Sequence, residues 1–245
     1  MKLASLKGGR DGRLVLVSDD LAYFAYAGHI ATTLQDVLDH WELLAPKLEL
    51  LATDLAHAVI PRERFHERDA ASPLPRAYSL IIGGVEQASA GFFGPRDTVP
   101  VGGEAQSRIV VVTADVPQGS SADVCTSLIR LVGLSLTCGA STSFSPVFVT
   151  PEALGKRWSG GAVNGALASE ASGHPTFRSE TGALGDFGPL VAAASASRAL
   201  GAGTLIGSDP VPGAAGPSSP GETIRVWMDD DKHHPIFGVI EQKLV

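Results

Sequence analysis

Val101–Pro117 reads VGGEAQSRIVVVTADVP. Within it, Ile109-Val110-Val111-Val112-Thr113 is a short unbroken run rich in β-branched residues. Such a run fits a strand covered on both faces. A polar entry through Glu104, Gln106 and Arg108 precedes it, and a turn at Asp115-Val116-Pro117 closes it. The rest of the chain is read outward from this central strand.

Composition bounds the function classes. The chain has 245 residues, 44% hydrophobic and 18% charged, an ordinary globular balance with ample core material. The formal net charge is −7. Nucleic acid and anionic membrane surfaces both call for clustered Lys and Arg, so neither is expected as a partner. Two cysteines, Cys125 and Cys138, are too few for a disulfide framework and read as buried thiols. No charged start leads into an apolar signal and no run of 18 apolar residues occurs, so a cytoplasmic protein is expected.

Upstream, residues 1–18 read as a hairpin turning at Gly8–Gly12, followed by a connecting segment with Tyr23, Phe24 and Tyr26. Thr32 or Thr33 caps a helix whose Leu34, Val37, Leu38, Trp41, Leu44 and Leu48 keep helical spacing. Pro46 is expected to open a second helix at its first turn. Residues 60–79 hold three prolines and read as a linker, dividing an N-terminal lobe (1–78) from a main domain (79–245). Downstream, Ser120 or Ser121 is expected to cap a helix running to about Val132. Asp186–Pro189 leads into a helix over 190–200, and Thr204–Ser208 is a short strand. Two closing strands, Thr223–Met228 and Ile236–Glu241, join through Asp229–Pro235. Many short strands with few helices give a β-dominated α+β class.

Several segments resemble one family. MKLASLKGGRDGRLVLVS, LQDVLDHW, PLPRAYS, FFGPRD, VVVTADVP, FSPVFVTPEALG, DFGPLVAAASASRALGAGTLIGS and IFGVIEQ are similar, in the same order, to stretches of bacterial fumarylacetoacetate hydrolase-like proteins that carry an extra N-terminal lobe. The resemblance implies a rolled mixed β-sheet domain behind a small αβ lobe, and homodimers. It also implies Mg²⁺-assisted cleavage, decarboxylation or tautomerisation of β-dicarbonyl acids, with a His–Glu pair as base. On this sequence the implied positions are changed. The family's Glu-x-Glu metal pair falls on Gln106 and Arg108, its third carboxylate on Gly133, and a Lys on Gly139 or a neighbour. The catalytic His falls on Gly84, which leaves Glu86.

Three function classes follow. The first is a repurposed, metal-independent isomerase or cyclase acting on a small oxo-acid or polyketide-like ligand. The second is a metal-dependent hydrolase, decarboxylase or tautomerase of β-dicarbonyl acids, needing Mg²⁺. The third is an inactive ligand- or partner-binding paralogue. Under the first no cofactor and no metal ligand is expected. Glu86 and Arg108 are the candidate catalytic residues. Glu104, Gln106, Arg108 and Ser208 are the candidate substrate-binding residues for a small-molecule ligand. Arg108 either binds a carboxylate or pairs with Glu104 or Glu86. Glu104 is alternatively a displaced metal ligand. His233 and His234, beside Asp229–Asp231, read as a solvated hairpin turn, because neighbouring strand residues point to opposite faces. His66 and His174 have no partner at metal spacing. Cys138 lacks a base that would activate it.

Overall fold

The computed structural model describes residues 1–87, 91–172, 176–212 and 219–245. Three antiparallel strands open the chain: β1 (Lys2–Leu6), β2 (Arg13–Val17) and β3 (Tyr23–Tyr26). Helices α1 (Leu34–Asp39) and α2 (Trp41–Ala56) follow, then the short strands β4 (Glu63–Arg64), β5 (Leu80–Ile82), β6 (Val85–Glu86), β7 (Gly91–Phe93) and β8 (Thr98–Val99). The long strand β9 (Ala105–Thr113) leads through helix α3 (Ala122–Ser127) into the equally long β10 (Ile129–Cys138). After these come β11 (Ser141–Phe144), β12 (Phe148–Val149), the small hairpin β13 (Trp158–Ser159) and β14 (Ala162–Val163), β15 (Ala166–Ala171) and β16 (Phe177–Glu180). Helix α4 (Phe187–Ser195), β17 (Leu205–Gly207), β18 (Thr223–Met228) and β19 (Ile240–Leu244) complete the chain.

Two mixed sheets and a helical layer result. The larger sheet runs β4-β3-β2-β1-β12-β10-β9-β17-β5-β6, with β11 and β7 paired beside β10. The smaller runs β16-β15-β18-β19-β8. β9 lies between β10 and β17, and its side chains alternate as a strand's must. Val110 and Val112 pack under α1 and α2 with Leu3, Leu16, Leu38 and Leu48. Ile109 and Val111 pack on the other face with Val226, Met228 and Ile240 of the smaller sheet. Burial on both faces explains the unbroken apolar run. The smaller sheet's outer face carries ion pairs instead: Arg225 with Glu170 and Glu241, and Arg178 with Asp229.

Strand pairing crosses the expected boundary at residue 78. Lys2 and Leu3 pair with Val149 and Phe148, so the opening hairpin extends the larger sheet. Leu34 and Leu38 of α1 and Leu44, Leu48, Leu51 and Leu55 of α2 share one core with Val110, Leu131, Phe144 and Leu205.

Several local expectations change. Tyr23–Tyr26 is a strand rather than a connection, pairing with β2. The helix after Ser121 stops at Ser127, and Ile129, Leu131 and Val132 belong to β10. Their spacing suited a helix, but a strand buried on both faces is apolar at consecutive positions too. Helix α4 starts at Phe187, where the Asp186 side chain accepts from Gly188 N at 2.7 Å, and ends at Ser195. The last strand begins at Ile240, not Ile236.

Pro46 does not open α2. Thr33 caps α1, accepting from Asp36 N at 3.2 Å. α2 then begins at Trp41, which leaves Pro46 inside it. Pro46 lacks the N–H that would reach the Glu42 carbonyl one turn back. The helix tolerates this because both residues lie on its exposed face. Pro46→Ala is expected to stabilise the fold by roughly 1–3 kcal/mol, read as a raised urea midpoint. An unchanged or lowered midpoint contradicts this account. Among the described residues no helix is long and apolar enough to cross a membrane.

Candidate functional site

The polar entry read from the sequence lies on β9 itself, which places it against both neighbouring strands. Residues directly opposite across an antiparallel pair share a face. Arg108 is opposite Ser135 of β10, and Ser135 is opposite Phe144 of β11. Gln106 is opposite Thr137, Thr137 opposite Thr142, and Thr142 beside Phe92 of β7. These two rows lie on the face of β9 that carries Val110. They run from Arg108 and Gln106 on β9, through Ser135 and Thr137 on β10, to Phe144 and Thr142 on β11, with Phe92 of β7 beside Thr142. The phenyl rings stand 5.6 Å apart, and the Thr137 and Thr142 hydroxyls are 3.2 Å apart.

Arg108 is 6% exposed. Its Nη2 donates to Gln106 Oε1, while Nε and Nη1 have no hydrogen-bond partner among the described residues. Burial pushes the guanidinium's pKa down, and the charge of Asp209 works the other way. The group stays cationic, because arginine starts far above neutrality. Each buried donor without an acceptor costs about 1–3 kcal/mol, so the arrangement calls for a missing acceptor. Neither expected ion pair supplies one: Arg108 pairs with neither Glu104 nor Glu86.

The other candidates separate. Glu86 lies at the surface on β6 and meets Arg198 Nη2 at 2.9 Å. The Ser79 hydroxyl and the Arg198 guanidinium hold its carboxyl below the usual carboxylate range, which suits a base poorly. Glu104 is exposed and immediately precedes β9. Ser208 is 1% exposed and its hydroxyl is occupied in joining strands: it accepts from Ile109 N at 3.2 Å and donates to Asp209 O at 2.7 Å. Asp209, exposed, follows it alongside β9, where Ser208 N donates to Ile109 O and Val211 N to Ser107 O. Sequence reasoning missed Phe92, Ser135, Thr137 and Thr142. Only the pairing of β9, β10, β11 and β7 brings them to Arg108.

The residues here do not fit a hard divalent cation. Such an ion needs several converging oxygens. Gln106 gives its oxygen to Arg108, and Arg108 puts a fixed positive charge in the middle of the set. A Cβ at Gly133 would lie 2.2 Å from the Phe148 ring, so that ring excludes any side-chain ligand there. Among the described residues no group of three or more His, Cys, Asp and Glu gathers at one point.

Histidine and cysteine behave as expected where they are described. Asp230 Oδ1 accepts from Lys232 N and His234 N, closing the hairpin turn at His233. His66 is exposed, and His174 lies outside the described residues. A cleft of about 610 Å³ lies elsewhere, lined in part by Lys2, Asp19, Glu49, Glu152 and Arg157. Its cations are already engaged. Lys2 Nζ donates to Asp19 O and Ile236 O, and Arg157 pairs with Asp231. Geometry therefore favours Arg108.

Cys138 is 2% exposed, and burial followed by the charge of Glu222 pushes its thiol up to about 11. A thiol raised on folding stabilises the native state fully below its unfolded value, roughly 8.5. That contribution is lost as pH rises toward 11. The urea midpoint should therefore fall across this window in the wild type and fall less in Cys138→Ala. Equal slopes would contradict the burial argument.

Comparison with known proteins gives a consistent picture. Residues 1–76 match the family described as fumarylacetoacetase N-terminal domain 2. Among curated proteins none matches the chain. Solved structures match its full length. Maleylpyruvate hydrolase from Sphingobium sp. SYK-6, in complex with manganese(II) and pyruvate, aligns at TM-score 0.75 and 15% identity, covering 100% of this chain and 99% of that one. Fumarylacetoacetate hydrolase from Exiguobacterium antarcticum gives 0.70 and 13%, with the same coverage. 5-Carboxymethyl-2-hydroxymuconate delta-isomerase from Mycobacterium smegmatis gives 0.63 and 14%, again with that coverage.

Proposed function

We propose that this chain, which has the fold of fumarylacetoacetate hydrolases and an N-terminal segment matching that family's N-terminal domain 2, is a repurposed, metal-independent enzyme whose Arg108 holds the carboxylate of a small oxo-acid. The observation that carries this reading is the buried guanidinium with Nε and Nη1 unpartnered. A carboxylate would supply the missing acceptor through charge-assisted bonds. The same cation, withdrawn from water, stabilises negative charge as it develops on an enolising ligand's oxygen. Isomerisation or cyclisation suits such a site, because both need a held conformer and a moved proton. Asp209 is the carboxylate that the fold places beside Arg108.

The test is calorimetric titration of EDTA-treated protein with pyruvate, repeated with added Mg²⁺, together with solvent-proton exchange at the pyruvate methyl in D₂O. The expected result is metal-free binding and exchange, both lost in Arg108→Met. Binding that appears only with Mg²⁺ retires this reading in favour of a metal-dependent hydrolase, decarboxylase or tautomerase. One observation favours a second reading, an inactive ligand-binding protein: Glu86, the remnant of the family's base pair, is tied to Arg198. Binding without proton exchange selects it. The functional reading also carries a homodimer in the cytoplasm, and sedimentation analysis tests the oligomeric part.

A further inference from the structure

We infer that the Arg108 site selects monocarboxylates with a flat apolar body and rejects dicarboxylates. This inference rests on the anion-binding reading above and deepens it. Three features of the site carry it.

The first is the count of cations. Among the described residues on the two cross-strand rows, Arg108 is the lone cation. Its neighbours are Gln106, Ser135, Thr137, Thr142, Phe92 and Phe144. One guanidinium satisfies one carboxylate. A second carboxylate would find hydroxyls and rings, and a carboxylate without a matching cation or donors is costly to desolvate.

The second is the sign of the rim. Glu104 immediately precedes β9, and Asp209 runs alongside Arg108's strand, both exposed. A dicarboxylate anchored on Arg108 by one end presents its other charge to these two acids. Like charges set against each other in a partly dry site discriminate strongly between ligands. The charge of Asp209 also opposes the effect of burial on Arg108.

The third is the aromatic pair on β7 and β11. Phe92 and Phe144 stand beyond the small Ser135, with ring centroids 5.6 Å apart. Phe92, Gln106 and Thr137 are half-exposed and mark the open side. A flat ligand with its carboxylate on Arg108 would extend over Ser135 and meet the ring edges. Aromatic contact adds to the area it buries.

The experiment titrates phenylpyruvate, pyruvate and 2-oxoglutarate into wild type, Arg108→Met and the double variant Glu104→Gln/Asp209→Asn, with thermal melts confirming folding. Phenylpyruvate should bind at least about tenfold more tightly than 2-oxoglutarate, and more tightly than pyruvate. The double variant should narrow the gap to 2-oxoglutarate by about fivefold, because both altered side chains are exposed and only the charge changes. Arg108→Met should lose all three. If 2-oxoglutarate binds wild type as tightly as phenylpyruvate while Arg108→Met loses both, the selectivity is overturned and the anchor survives. An unchanged gap in the double variant overturns the role of the acidic rim. Ligands that bind Arg108→Met as well as wild type overturn the anchor, and the selectivity with it.

Discussion

Arg108→Met is expected to make the protein more stable while removing its affinity for carboxylates. The two effects have one source. In the native fold the guanidinium is 6% exposed, has one partner in Gln106 and leaves Nε and Nη1 unmet. Replacing a buried, incompletely compensated ion by an apolar side chain of similar reach stabilises by roughly 1–4 kcal/mol. Met is flexible enough to follow the stem, which passes close to Gly207: a Cβ built there would lie 3.4 Å from Arg108 Cδ. Gln106 loses its partner, but it is half-exposed and water can replace the bond. Urea unfolding gives the stability change and calorimetry the binding loss. A variant destabilised by more than about 1 kcal/mol would show that Arg108 is a structural residue and would sink the reading of its free donors as a site.

The second large effect is at Gly133. Ala there should cost about 3 kcal/mol, because the added methyl would sit 2.2 Å and 2.3 Å from two ring carbons of Phe148. Neither side yields easily. Gly133 lies in the middle of β10 opposite Val110, and Phe148 is 1% exposed within the core under the helices. Shrinking the ring should relieve the clash. Phe148→Leu alone opens a cavity and destabilises, yet the double variant Gly133→Ala/Phe148→Leu should be more stable than the sum of the two changes by at least about 1 kcal/mol. Additive losses would mean that the sheet moves instead of the ring. The same contact bears on function: Gly133→Asp should fail to introduce metal binding, because the carboxylate's space is filled by Phe148.

How much of this was legible follows from what each inference needed. Gln106, Arg108 and Gly133 were found through the family resemblance, which puts the family's metal ligands at those positions. β9 was legible because five consecutive apolar or β-branched residues leave few alternatives. β10 was misread at its start because Leu128, Ile129, Leu131 and Val132 fit a helical stripe as well as a doubly buried strand. Only pairing with β9 decides between them. The fate of Glu86 depended on Arg198, 112 residues further on, and that of Ser208 on the backbone of Ile109. No local pattern encodes such partners. Phe92, Thr137 and Thr142 were invisible as site residues for the same reason: each is ordinary in its own segment and gains meaning from cross-strand register. Pro46 was placed at a helix start because proline prefers that position. The burial of Leu44, Leu48, Leu51 and Leu55 evidently outweighs its missing N–H.

The opening strand's place in the sheet fixes an order of events during synthesis. β1 lies between β2 and β12, so one of its edges is met at once by the hairpin and the other only by Val149 and Phe148. While the ribosome makes the intervening residues, that edge and the apolar faces of α1 and α2 have no final partner. Val110, Leu131 and Phe144, which complete the helices' core, also come later. An open strand edge beside unburied leucines is a template for pairing with a neighbouring nascent chain. This segment is thus made well before its partners in the sheet and is among the last secured. Its yield in the cell will depend on chaperone protection until residue 149 has cleared the exit tunnel.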